Sequence, residues 1–167
     1  MISTSLKDAT EIFTPVPRWI PTNITFEHYH SIWNETPFPT YLKNSFIVAS
    51  ATMVVTLFLS TFLAYGISHY QFVGRLFLAR MLLITQMFPV VLMIIPIFMI
   101  FIRFAMIDTY SALVITYCTF ALPFGTLMMK SYFDSLPTDL EKAALVDGCT
   151  PISALYRIVL PLSAPGI

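Results

Sequence analysis

Charge is scarce in this sequence. Only 11% of its 167 residues are Asp, Glu, Lys or Arg, against roughly 25% in an ordinary soluble domain. The few charges balance, nine basic against nine acidic, so no basic surface points to nucleic acid. Cysteine is limited to Cys118 and Cys149, which lie in unlike surroundings and make no disulfide framework. Nowhere do the five glycines form the G-x-x-x-x-G-K-S/T loop that cradles nucleotide phosphates, so the chain does not itself bind ATP in that way. The opening "MISTSLKDATEIFTPVPRWIP" has no basic start followed by an apolar run, and no secretory signal is visible. Ten-residue segments of alternating hydrophobicity, the mark of a membrane β-barrel, are missing too. No catalytic constellation stands out. His28 and His30 form an H-x-H without a second ligand pair, which reads as exposed histidines with no metal site. His69 reads as a loop residue.

Apolar residues are what the sequence has in abundance. They make up 57%, and the mean hydropathy is +0.77, which places the chain among membrane proteins. Three uncharged apolar runs, 45–67, 81–102 and 109–129, each approach the ~20 residues that a helix needs to cross ~30 Å of hydrocarbon. Pro89 and Pro96 interrupt the second run, and Pro123 and Gly125 the third. Such breakers are tolerated where neighbouring helices or side chains satisfy the freed backbone groups. The expectation is an all-α membrane protein with three transmembrane helices.

Residues 1–44 are polar and contain proline and aromatics, and they read as a separate segment outside the membrane. Orientation follows from lysine and arginine near the span ends. Arg75, Arg80, Lys130 and Lys142 fall on one side, and Lys43 and Arg103 on the other. That bias puts the loop 68–76 and the tail 130–167 in the cytoplasm, with 1–44 external. An external amino terminus of this length without a signal is simplest to understand if a span precedes it.

The tail holds the most informative stretch, "LEKAALVDGCTPISALYRIVLPL", residues 140–162. Thr138 followed by Glu141 is a capping-box pattern that opens a helix. Leu140, Ala143, Ala144 and Asp147 recur at helical spacing, and Gly148 stands where a left-handed cap would end the helix. Thr150 and Pro151 restart it, a capping residue with proline at the first helical position. Ile152, Leu155, Tyr156, Val159 and Leu160 then line one apolar stripe, limited by Pro161 and Pro165. Both helices are shorter than the ~12–15 residues an isolated helix needs. They must therefore pack on something, either a partner's groove or their own bundle or membrane surface.

"EKAALVDGCTPISALYRIVLPLSAP" resembles the EAA loop of the inner-membrane permease subunits of ABC import systems. The family pattern is glutamate, two alanines, three residues, glycine, nine residues, isoleucine, any residue, leucine, proline. Ala143, Ala144, Gly148, Ile158, Leu160 and Pro161 stand at those spacings. Asp147 and the ending "LPLSAP" are similar to the carbohydrate-importer branch, maltose-type second permeases in particular. One departure is plain: the family's usual glutamate falls on Lys142, with Glu141 just before it, which removes the ground for any specific salt bridge to an ATPase. The resemblance extends to "PTNITFEHYHSIWNETPFPTYLKNSFIVAS" and to "FVGRLFLARMLLITQMFPVVLMIIPIFMIFIRFAMIDTYSALVITY", and so covers nearly the whole chain.

The resemblance implies a partial type-1 ABC importer transmembrane domain over 45–167 with a cytoplasmic EAA loop at 135–161. It implies a coupling role, with Gly148 setting the turn and Ile152 to Leu160 forming a helix that sits in a cleft of a cytoplasmic ATP-binding subunit dimer. It implies further partners: a second permease subunit, an external solute-binding protein, a carbohydrate substrate and membrane lipid. No cofactor is implied, since ATP is bound by a separate subunit, and no enzymatic activity. Family members usually have six spans, so this chain reads as a piece of a longer permease. The competing readings are a permease for a non-sugar solute such as a polyamine, and a membrane anchor or fragment that docks a partner without transporting. Within the spans, Thr85, Gln86, Thr116, Tyr117 and Thr119 are the polar residues that could face a translocation path, or else bond to helix backbone. Arg80 reads as snorkelling, Cys118 as a buried small residue and Cys149 as a free cytoplasmic thiol.

Overall fold

A computed structural model describes residues 2–13 and 19–163. Every regular element among them is helical. The chain divides into two compact units, Met1–Ile47 and Val48–Ile167.

In the first unit, α1 (Ile2–Ser5) and α2 (Ala9–Ile12) are single turns, and α3 (Glu27–Glu35) is longer. Polar groups tie them together. The Thr25 N–H donates to the Leu6 carbonyl at 3.0 Å, His28 Nε2 donates to the Lys7 carbonyl at 2.9 Å, and Thr22 donates to the Glu11 carboxylate through both its N–H and its hydroxyl. His28 thus makes a backbone contact. Among the described residues no group of three or more His, Cys, Asp and Glu could hold a metal ion.

α4 (Phe38–His69) is a 32-residue helix, longer at both ends than the apolar run 45–67 because helix-compatible residues flank that run. α7 (Tyr110–Ser135) packs against it in the second unit. Their contact is made of small residues. Thr56, Ser60 and Ala64 recur every fourth position on α4 and are buried. Across from them lie Cys118, Gly125 and Thr126 of α7. Between helices in lipid there is no hydrophobic driving force, so close backbone approach and dispersion must hold the pair, and small side chains permit that approach. The Thr56 hydroxyl meets Cys118 Sγ at 3.5 Å, and Ser60 and Thr126 return their hydroxyls to their own helices, at Leu57 and Leu122.

The run expected to form a span over 81–102 is bent. It is divided between α5 (Arg75–Thr85) and α6 (Val90–Arg103), bent by 101°. Pro89 is the physical reason: a proline disfavours helical backbone at the residue before it, and Pro89 itself is extended at φ −60°, ψ 126°, capping α6. Pro96 and Pro123 stay inside their helices. Two of the described helices are long and apolar enough to cross a membrane, or three spans if the bent pair counts as one.

Beyond α7 come α8 (Thr138–Val146) and α9 (Pro151–Ala154), which continues through a π-helical turn, Leu155–Val159, into α10 (Leu160–Ser163). Pro161 therefore does not stop the helix as its position suggested. It lacks an N–H and its ring crowds the carbonyl four residues back; the widened turn, in which the Leu160 N–H reaches the Leu155 carbonyl, makes room for it. Pro165 lies outside the described residues.

Candidate functional site

The tail folds as a helical hairpin whose turn is built by backbone chemistry. At the end of α8 the Cys149 N–H reaches the Ala144 carbonyl at 2.9 Å and the Gly148 N–H the Leu145 carbonyl at 3.1 Å. This pair of bonds is the Schellman closure, which requires a left-handed residue. Gly148 supplies it at φ 89°. A Cβ there would meet nothing within 4 Å, so only backbone conformation penalises a side chain. Thr150 caps α9, its hydroxyl oxygen accepting from the Ser153 N–H at 3.2 Å. Pro151 follows at the first helical position. The expected cap at Thr138 is displaced: Pro137 takes the cap position of α8, without a side-chain hydrogen bond, and Thr138 is the first helical residue.

The apolar stripe of the second helix is shared between two faces. Leu155 and Val159 are 1% and 3% exposed and join Ala64, Tyr65, Met129 and Phe133 in one core, flanked by Leu136 and Leu160. These two thus pack on the chain's own bundle, one of the two packings that the stripe allowed, while docking on an ATPase was what the resemblance implied for Ile152 to Leu160. Ile152 at 62% exposure points outward, and Tyr156 is half-exposed at 50%, one edge of its ring against Phe62 of α4 at 6.3 Å between centroids. The helical periodicity contains both faces, because Ile152 and Tyr156 form one edge of the stripe and Leu155 and Val159 the other. On α8, Ala144 is buried, while Lys142, Ala143, Leu145, Val146 and Asp147 are exposed. Ile158 is half-buried and Pro161 exposed.

Glu141 faces the bundle. One carboxylate oxygen accepts from the Tyr65 hydroxyl, and the other lies 2.9 Å from His69 Nε2. Lys142 points to solvent and meets Asp139 at 3.4 Å. The acidic residue is therefore already occupied within the chain, and the basic one in the family's glutamate position is on the surface. His69, taken from the sequence for a loop residue, ends α4. The spacing Tyr65–His69, one helical turn at the end of a span, was the available signal for both. A further tie joins Ser68 of α4 to Asp134 of α7, which also pairs with Lys130. The tail and the end of α4 thus meet.

The polar span residues bond locally. Thr85, Thr116 and Thr119 donate to the carbonyls of Leu82, Ala112 and Ile115. Gln86 sits at the α5–α6 bend and Tyr117 is exposed. Thr116 borders an apolar groove of about 480 Å³ between α6 and α7 that also includes Phe98 and Leu113.

Known proteins are similar to this chain in sequence and in fold. The sulfoquinovosyl glycerol transport system permease protein SmoH of Agrobacterium fabrum is 34% identical over 167 residues, covering 100% of this chain and 59% of the relative. The diacetylchitobiose uptake system permease protein DasC of Streptomyces coelicolor is 34% identical over 167 residues, 100% of this chain and 60% of the relative. The trehalose/maltose transport system permease protein MalG of Thermococcus litoralis is 37% identical over 145 residues, 86% of this chain and 52% of the relative. The chain thus spans three fifths or less of the length of these relatives. In fold it is similar to a chain from the crystal structure of a bacterial ABC transporter involved in the import of the acidic polysaccharide alginate, with a TM-score of 0.81 at 23% identity over 99% of this chain and 57% of that one. The family model for the binding-protein-dependent transport system inner membrane component matches residues 56–167, a stretch that contains α7 and the whole hairpin. The chain belongs to that family of multi-pass inner-membrane transport components.

Proposed function

We propose that this chain is part of a permease subunit of an ATP-driven carbohydrate importer, and that its hairpin couples ATPase closure to substrate translocation. The observation that carries the reading is the pair of exposed apolar side chains, Ile152 and Tyr156, on a helix whose opposite face is anchored in the bundle. A short helix fixed on one side and apolar on the other suits a groove in a partner protein. A hairpin rigidly seated on its spans can pass a push from that partner to the membrane domain. Relatives named for sulfoquinovosyl glycerol, diacetylchitobiose and trehalose/maltose transport support a sugar or glycoside as the solute.

In this reading the hairpin is cytoplasmic and residues 1–44 are external. The partners are an ATP-binding subunit dimer, a second permease subunit and an external solute-binding protein. This chain contributes neither ATP site nor catalysis. Gly148→Asp tests the coupling: a side chain at a left-handed position distorts the turn, so the variant should retain less ATPase subunit in a detergent pull-down. Retention equal to wild type would remove the hairpin as the docking element. Uptake of labelled maltooligosaccharide against labelled polyamine, by vesicles holding the complete system, tests the solute class. Polyamine uptake alone would overturn the sugar assignment.

A further inference from the structure

The last turn of α4 holds the hairpin at both of its arms. The Tyr65 hydroxyl touches Glu141 on α8 and lies 3.2 Å from the Pro151 carbonyl at the start of α9. It has one proton, and the carboxylate is the stronger acceptor. His69, four residues along α4, bonds the other Glu141 oxygen through Nε2. A carboxylate has no hydrogen to give, so Nε2 is the donor in this contact. The side chains of His69 and Glu141 are only 11% and 12% exposed. The His69 ring lies 4.6 Å from Tyr65 and 6.1 Å from Phe133 by centroids, which fixes its direction. Its Nδ1 is buried with no partner among the described residues.

On the reading that the hairpin couples an ATPase to the spans, we infer that Tyr65 and His69 are positioning residues for that coupling, and that Glu141 acts inward, on α4. A nearly buried carboxylate is costly to leave without donors. Removing either donor makes Glu141 turn out to water and frees α8 from α4, while the Leu155–Val159 contact still holds α9. The hairpin then remains folded and docked but no longer drives α4. Ser68–Asp134 ties α4 to α7 at the same level, so the two long helices receive the displacement together. Lys142 and Asp139 lie outside this arrangement, exposed and paired with each other.

The test uses the complete transporter, with full-length permease, reconstituted with its ATPase and binding protein. Two quantities are measured: ATPase subunit retained, and solute moved per ATP hydrolysed. Tyr65→Phe removes only a hydroxyl and His69→Leu removes the donor at similar bulk. Each should leave retention unchanged and lower solute per ATP about tenfold, the size expected for one hydrogen bond to a charged group. His69→Gln, which keeps an N–H donor, should stay near wild type. Wild-type coupling in Tyr65→Phe and His69→Leu overturns the inference, as does equal loss in His69→Gln and His69→Leu. Should His69→Leu fail to assemble, Tyr65→Phe carries the test alone. Failure of the wild-type permease to retain the ATPase would overturn the coupling reading itself, a result separate from any difference among these variants.

Discussion

Gly125 of α7 lies against Ser60 of α4 so closely that a Cβ on the glycine would stand 3.4 Å from the Ser60 Cβ and 3.5 Å from its Oγ. The two helices approach here because neither presents bulk. Ser60 is fully buried, and so is the neighbouring Thr126.

Gly125→Leu should therefore separate α4 from α7. The glycine itself costs about 1 kcal/mol in helix propensity relative to alanine, and a Cβ would sit at ordinary contact distance, so Gly125→Ala should be neutral to slightly stabilising. A leucine forces overpacking worth about 1–3 kcal/mol. The thermal midpoint of the protein in detergent checks this, and an undiminished midpoint for Gly125→Leu would contradict the close approach.

The two faces of the second hairpin helix should respond differently to truncation. Leu155 is 1% exposed within the core, and Leu155→Ala should cost about 2–5 kcal/mol of stability. Ile152→Ser alters an exposed side chain, and should leave the thermal midpoint within experimental scatter while weakening retention of the ATPase subunit. A stability loss at Ile152 as large as at Leu155 would mean that the faces are assigned the wrong way round.

Thr150 caps α9 by a side-chain bond to the Ser153 N–H. Loss of such a cap costs about 1 kcal/mol. Thr150→Ala should raise amide hydrogen exchange at Ser153 and Ala154, and Thr150→Ser, which keeps the acceptor, should not. Equal exchange in both variants would argue against the cap.

Both cysteines are free, but their surroundings differ. Cys118 is buried at the α4–α7 contact, with its Sγ beside Thr56; Cys149 is half-exposed in the hairpin turn. A polar maleimide should label Cys149 first and Cys118 only after unfolding. If the hairpin docks as proposed, bound ATPase should slow the labelling of Cys149. Mass spectrometry of the labelled peptides reads both outcomes, and prompt labelling of Cys118 in the folded protein would contradict the helix contact.

Much of this was legible in the sequence. Apolar runs of spanning length with few charges demand helices, since only helices and closed barrels satisfy their own backbone in lipid. The glycine at 148 and the threonine–proline pair at 150–151 act within a few residues, so the turn and the restart of the helix follow from local chemistry. The motif's spacing was enough to suggest the family before any geometry was known.

Tertiary structure decided the rest, because it depends on residues far apart in the chain. A helical stripe says that Ile152, Leu155, Tyr156 and Val159 are neighbours on a cylinder, yet not which of them meets the bundle; the packing of Leu155 and Val159 on Tyr65, Met129 and Phe133 settles that. Pro89 could have kinked a span or broken it, and in the folded chain it breaks, with α5 and α6 both against α7. Glu141 and Tyr65 are 76 positions apart, and no local rule connects them. Only the folded chain turns that carboxylate away from solvent and onto the last turn of α4, where the cost of leaving it unpaired makes the contact specific.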